Sequence, residues 1–204
     1  MTDKKDEFDK IITPVGRLSF PSVFEATCAP NSTNAKWSTV FLIPKTTNIQ
    51  EIKDLLKRAV AKKYPDGNIP KNSDGTPFVT PIKDGNDKTY EGYAHHYFFT
   101  ASTKNRAPGV VDETKKPIMD RNEIYAGCYA VLQINAYCWE YMGKYGVSIG
   151  LQHVMKWKDG EPLSGGSSAE DAFSDLDLPE AAAVPQAVGG DLSILDRSEE
   201  RRVG

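Results

Sequence analysis

A length of 204 residues suits one domain with a good core and some extra segments, and is too short for two large domains. No stretch approaches the roughly 18 uninterrupted apolar residues of a membrane helix, and the charged residues 1–10 lack the apolar centre of a signal peptide, so a soluble cytosolic protein without a membrane partner is expected. The net charge of −3 is unevenly spread: residues 1–160 hold 22 Lys or Arg against 18 Asp or Glu, whereas residues 161–196 hold eight acidic side chains and no basic one. A mildly basic body with an acidic tail does not exclude a polyanion partner, because such binding depends on the local field of a groove. The three cysteines, Cys28, Cys128 and Cys138, include no Cys-x-x-Cys pair and read as free thiols rather than as metal ligands or disulfides.

Residues 1–12 read as a flexible N-terminus. Residues 16–26 then alternate, with Leu18, Phe20, Phe24 and Ala26 on one face and Arg17, Ser19, Val23 and Glu25 on the other; Pro21 marks an edge or a bulge. A polar loop leads into residues 36–43, a β-branched and aromatic run stopped by Pro44, in which Trp37 reads as core. From Asn48 the period changes. Ile49, Ile52, Leu55, Leu56, Ala59 and Val60 fall on one helical face, Asn48 and Glu51 make a capping-box-like pair, and Pro65-Asp66-Gly67 ends the helix. Its basic end, with Lys57, Arg58, Lys62 and Lys63, is explained by the helix dipole more simply than by phosphate contacts.

Residues 65–88, rich in Pro, Gly, Asn and Asp, read as a long irregular excursion. Alternation resumes over residues 90–102, with Tyr93, His95, Tyr97 and Phe99 on one side and Ala94, His96, Phe98 and Thr100 on the other, neither face being cleanly apolar. Residues 104–121 carry basic side chains with Pro108, Gly109 and Pro117 and read as a surface loop or short hairpin.

The most informative run is residues 124–139. A strand there puts Ile124, Ala126, Cys128, Ala130, Leu132, Ile134, Ala136 and Cys138 on a buried face. The opposite face carries Tyr125, Tyr129, Gln133, Asn135, Tyr137 and Trp139. Rings in that position suit either a second layer packed over them or a base-stacking platform, since stacking on an aromatic side chain contributes roughly 1–3 kcal/mol per base. Residues 146–157 alternate again and close the body, and the Gly-, Ser-, Ala- and acid-rich stretch beyond residue 160 reads as a low-complexity tail.

About five strands with one interposed helix is the element count of a partly open Greek-key barrel, the oligonucleotide-binding fold, here over residues 13–160. No glycine-rich phosphate loop, Gly-x-Ser-x-Gly or paired-histidine motif appears, and His95, His96 and His153 have no metal-ligand spacing, so neither an enzyme nor a cofactor is expected.

Four blocks carry a family resemblance: Gly16-Arg17-Leu18-Ser19-Phe20-Pro21, Arg106-Ala107-Pro108-Gly109-Val110-Val111-Asp112, Ile124-Tyr125-Ala126-Gly127-Cys128-Tyr129 and Gly146-Val147-Ser148-Ile149-Gly150-Leu151. In this order they resemble the single-stranded DNA-binding proteins of tailed bacteriophages, over roughly residues 10–175. The family's loop has Pro directly after the Arg, where Ala107 stands here. The resemblance implies an oligonucleotide-binding barrel that coats single-stranded DNA during phage replication and recombination in the cytoplasm of a bacterial host, with little sequence preference and no catalysis. The acidic residues 161–204 would then serve as a handle for phage or host replication proteins, and a homo-oligomer remains compatible. Residues 197–204 resemble a translated sequencing-library adapter.

For such a function the expected stacking residues are Tyr125, Tyr129, Tyr137 and Trp139, with Tyr93 and Tyr97 behind them. The expected phosphate contacts are Arg17, Lys36, Lys104, Arg106, Lys115, Lys116, Arg121 and Lys144. The alternative is a non-enzymatic interaction or virion-associated protein whose aromatic face meets another protein.

Overall fold

The computed structural model describes residues 9–28 and 33–163. Strands β1 (Lys10–Ile12), β2 (Gly16–Thr27) and β3 (Lys36–Pro44) precede helix α1 (Gln50–Lys63), and β4 (Lys83–Asp84), β5 (His96–Thr103), β6 (Gly109–Val111), β7 (Tyr129–Tyr141) and β8 (Lys144–Lys158) follow it. Five of these strands close a ring, in which β2 pairs with β3, β3 with β5, β5 with β8, β8 with β7, and β7 with β2. Only the β5–β8 step of the ring is parallel. This is the five-stranded Greek-key barrel expected from the sequence, with α1 inserted between the second and third ring strands. The acidic stretch beyond residue 163, including residues 197–204, lies outside the described residues, as do residues 1–8.

Alternation builds the interior. Leu18, Phe41, Phe99, Ala101, Ala130, Leu132, Ile134, Ile149, Leu151 and Val154 point inward from the five ring strands. Helix α1 adds Ile52, Leu55 and Leu56, which pack against this core. Each such burial contributes roughly 1.5–3 kcal/mol. The cap differs from the expectation: Ile49, not Asn48, holds the N-cap position and gives no side-chain cap, while the Asn48 carboxamide oxygen, one residue earlier, accepts the Gln50 N–H at 2.8 Å. Among the described residues no helix is long and apolar enough to cross a membrane.

Several boundaries differ from the sequence expectation, each for a local reason. Residues 10–12, read as part of a flexible end, form β1 against β7, and Thr13 extends the pairing: its hydroxyl accepts the Leu132 N–H and its own N–H donates to the Leu132 carbonyl. The strand expected from residue 124 starts only at Tyr129. Before it the chain turns through Gly127 at φ +115°, and the Gly127 N–H donates to the Leu18 carbonyl. The strand expected from residue 90 starts at His96, because Gly92 and His95 both take positive φ in the preceding turn. The closing strand begins earlier than Gly146. Met142 and Gly143, at φ +49° and +71°, make the two-residue turn that continues β7 directly into β8.

Strand β2 carries the expected irregularity at Pro21. Between Ser19 and Ser22 its pairing to β3 shifts by one residue, which is a β-bulge. The extra residue reverses the inside and outside of the strand. Val23 becomes core, and Phe20, expected on one face with the buried Leu18, stands 58% exposed. A second small cluster of Leu42, Tyr93 and Phe98, joined by Val40 and Leu163, covers the outer face of β3 and β5.

Candidate nucleic-acid interface

From Tyr129 onward the two-face reading of β7 holds. Ala130, Leu132 and Ile134 are fully buried, while Tyr129, Gln133, Asn135 and Trp139 are partly exposed and Tyr137 is 45% exposed. The outer face therefore presents rings and amides in one line. From Tyr129 to Tyr137 that line spans about 27 Å at the rise of an antiparallel strand.

At its start, Tyr129 lies between two cations. The Arg17 guanidinium carbon is 5.5 Å from the ring centroid, and the Lys158 ammonium nitrogen is 4.9 Å from it. The pairing places them there, since Tyr129 is opposite Arg17 on β2 and opposite Lys158 on β8. Arg17 is held in place by donating from Nε to the Gly127 carbonyl at 3.1 Å and from a terminal nitrogen to the Glu161 carbonyl. A ring flanked by a guanidinium and an ammonium can stack on a base while the cations meet the adjoining phosphates.

Farther along, a depression of about 340 Å³ is lined by Ser102, Lys104, Asn105, Asn135, Tyr137 and Gln152. Gln152 donates to the Asn135 carboxamide oxygen at 3.1 Å, so the floor is an ordered pair of amides. Gly150 lies beneath, and a Cβ there would overlap the Asn135 carboxamide. Tyr137 supplies the ring of this depression and Lys104 its cation. Amide edges, ring and charge together match the base, its π-face and its phosphate.

The remaining expected residues divide. Tyr93 is not a surface ring: it is 2% exposed in the second cluster, and its hydroxyl donates to the Ser19 hydroxyl at 3.1 Å. Tyr97 faces the core, with the Lys45 ammonium 5.7 Å from its ring and Lys45 paired to Asp84 at 2.6 Å. Trp139 rests against Gly146 on its own hairpin. Tyr125 precedes β7 and forms a clasp rather than a platform. Its hydroxyl meets Asp159 at 3.1 Å and the Gly160 carbonyl at 2.9 Å, and it accepts the Gly160 N–H at 3.0 Å. Lys156 closes this clasp at 2.8 Å from Asp159. The hydrogen bonds from Lys156 and Tyr125 hold the Asp159 carboxyl below its usual range. Burial opposes the Lys156 charge, but bonding to Asp159 outweighs it and raises the lysine pKa.

Two expected phosphate contacts are occupied, Arg121 by Glu25 and Lys144 by Asp74 at 3.0 Å. Lys36, Lys104, Arg106, Lys115 and Lys116 form no ion pair among the described residues, and the last two sit on an exposed turn at the end of β6. Sequence reasoning missed Lys158, although the alternation of Lys156, Trp157 and Lys158 at the end of a strand places basic groups beside an aromatic. It also missed the exposure of Phe20. Among the described residues no group of His, Cys, Asp and Glu could hold a metal ion.

The comparisons with known proteins agree with this fold. A protein 34% identical over 171 residues, covering 80% of this chain and 92% of the relative, is the putative protein p50 of Acyrthosiphon pisum secondary endosymbiont phage 1. The solved single-stranded DNA-binding protein from bacteriophage Enc34 in complex with ssDNA superposes with a TM-score of 0.62 at 22% identity, over 78% of this chain and 91% of that one. The single-stranded DNA-binding protein gp2.5 of bacteriophage T7 superposes with a TM-score of 0.54 at 16% identity, over 87% and 98%. At these identities the two structures establish the shared fold. The family model of the Enterobacter phage Enc34 ssDNA-binding protein matches residues 9–183, and the chain belongs to that family.

Proposed function

We propose that this chain binds single-stranded DNA with little sequence preference, as a coating protein of phage replication and recombination and not as an enzyme. The observation that carries the reading is the outer line of β7, where Tyr129 stands between Arg17 and Lys158 and Tyr137 stands beside Lys104 over an amide floor. Family membership supports it independently. Bases stack on Tyr129 and Tyr137, and Arg17, Lys158 and Lys104 follow the phosphates. Lys36, Arg106, Lys115 and Lys116 extend the field. Stacking reads the π-face common to all bases, so sequence matters little.

The body of residues 13–160 carries the binding, and the acidic residues that follow serve as a docking handle for phage or host replication proteins in the bacterial cytoplasm. Copies of the chain associate along the strand.

The test is binding of labelled single-stranded DNA, single-stranded RNA and duplex DNA across a series of salt concentrations. Mixed and all-pyrimidine single strands should bind within about an order of magnitude of each other, with duplex much weaker and with steep loss on added salt. Absence of single-strand binding at every salt concentration would refute the proposal.

A further inference from the structure

The geometry points to a second base-stacking step on this surface, formed by Phe20 and Tyr90 and separate from the line of β7. It rests on the single-stranded DNA reading above and adds a nucleobase subsite to it.

Phe20 occupies the extra position of the β2 bulge at φ +47°. A bulky side chain rarely takes this conformation, because the Cβ crowds the backbone carbonyl, and Gly or Asn would fit better. The strain gains no core burial in return, since the ring is 58% exposed. What it gains is orientation. Phe20 meets Tyr90 edge to face, with centroids 5.7 Å apart, and Tyr90 is itself 55% exposed.

Tyr90 is fixed from below, and Phe20 leans on Tyr90. Tyr90 packs on Tyr93 at 5.4 Å, and Tyr93 packs on Phe98 at 5.2 Å. A ladder of four rings thus runs from the second cluster to the surface. The Tyr93 hydroxyl, bonded to Ser19, ties the ladder to the residue immediately before Phe20. The turn that carries Tyr90 is closed by the Tyr93 N–H donating to the Tyr90 carbonyl, with Gly92 at φ +76°. Tyr90, held by the buried Tyr93, and Phe20, held against Tyr90 on the bulge, lose little freedom when a base stacks on them, and this makes such contacts favourable. Retained strain that serves no packing is a mark of a functional position.

The position suits a strand already bound at Tyr129. Phe20 is three residues from Arg17 on β2, about 10 Å at the rise of a strand, and Arg17 flanks Tyr129. A single strand leaving Tyr129 past Arg17 therefore reaches Phe20 next. Tyr93 is a positioning residue in this arrangement and touches no base.

The test compares wild type, Phe20→Gly, Phe20→Leu, Tyr90→Ala and Tyr129→Ala in thermal melting and in single-stranded DNA anisotropy titrations. Phe20→Gly relieves the backbone and should melt within a few degrees of wild type, while its affinity falls roughly 5- to 150-fold, the range for loss of one stacked base. Phe20→Leu keeps apolar bulk without a π-face and should fall in the same way. An oligonucleotide carrying 5-iodouracil should photocrosslink to the peptide that holds Phe20 or Tyr90. Phe20→Gly and Tyr90→Ala within twofold of wild type, with Tyr129→Ala still weakened, would overturn the second step and leave the first intact. A wild-type protein that retains no single strand overturns both.

Discussion

Arg17 and Tyr129 face each other across the short β2–β7 pairing, with the guanidinium carbon 5.5 Å from the centre of the ring. Two carbonyl oxygens, of Gly127 and Glu161, hold the guanidinium in place. Tyr129→Ala should therefore weaken single-stranded DNA binding by roughly 1–3 kcal/mol while leaving the melting curve nearly unchanged, because the ring lies outside the core. Equal affinity in an anisotropy titration would remove Tyr129 from the interface.

Lys104 and Arg121 are both exposed, but among the described residues only Arg121 of the two has a carboxylate partner, Glu25. Lys104→Ala should lower the slope of log affinity against log salt by about 0.7, the loss of one phosphate contact on a single strand. Arg121→Ala should leave that slope alone. The pair of titrations checks whether the cations beside Tyr137 are the ones that matter.

Gly150 and Gly16 should respond differently to alanine. At Gly150 the added methyl meets the movable Asn135 carboxamide, so the fold should persist and the amide floor should rearrange, weakening DNA binding. At Gly16 it meets the Leu42 carbonyl and the buried Phe41 ring, where overpacking costs about 1–3 kcal/mol. Chemical denaturation with a parallel binding assay separates the two outcomes.

Tyr125 was expected among the stacking rings and is instead bonded to Asp159 and Gly160. Tyr125→Phe keeps the ring and removes the hydroxyl. Stability should fall by about 1 kcal/mol for the lost hydrogen bonding, with affinity for single strands unchanged. A large affinity loss with unchanged stability would restore Tyr125 to the binding surface.

The Asp74 carboxylate accepts from the Thr76 hydroxyl and N–H and pairs with Lys144, and these contacts lower its pKa to about 2. A carboxyl depressed in the folded state contributes stability that is complete above its unfolded value of about 3.9 and is lost as the pH falls through the folded value. NMR titration of the Asp74 carboxyl carbon should give a midpoint near 2 in the native protein. Lys144→Ala should move the midpoint upward without restoring the ordinary value, since Thr76 remains.

The residues that were legible in the sequence are those whose alternation is uninterrupted. Ala130, Leu132 and Ile134 had to share a face, because a one-residue slip would have sent all three into water. The helix was legible from Ile52, Leu55 and Leu56. Phe20 was not, because a bulge changes the parity of every residue after it and leaves no mark beyond Pro21. Tyr93 misled because a turn with two positive-φ residues interrupts a run that alternates on paper. Tyr125 misled in the same way, through Gly127. Lys158 was overlooked because its partner ring lies on another strand, and pairing between distant strands is not written in local spacing.

The closed ring has one more consequence. Among the described residues, the strands that stand outside it are β1, β4 and β6, of three, two and three residues. Strands this short offer a neighbour few unpaired backbone groups, and β6 is also flanked by the bridge from Val111 to Pro117. Were copies to crowd side by side on one polymer, they would have almost no template for joining their sheets, and dense packing would not have to end in aggregation.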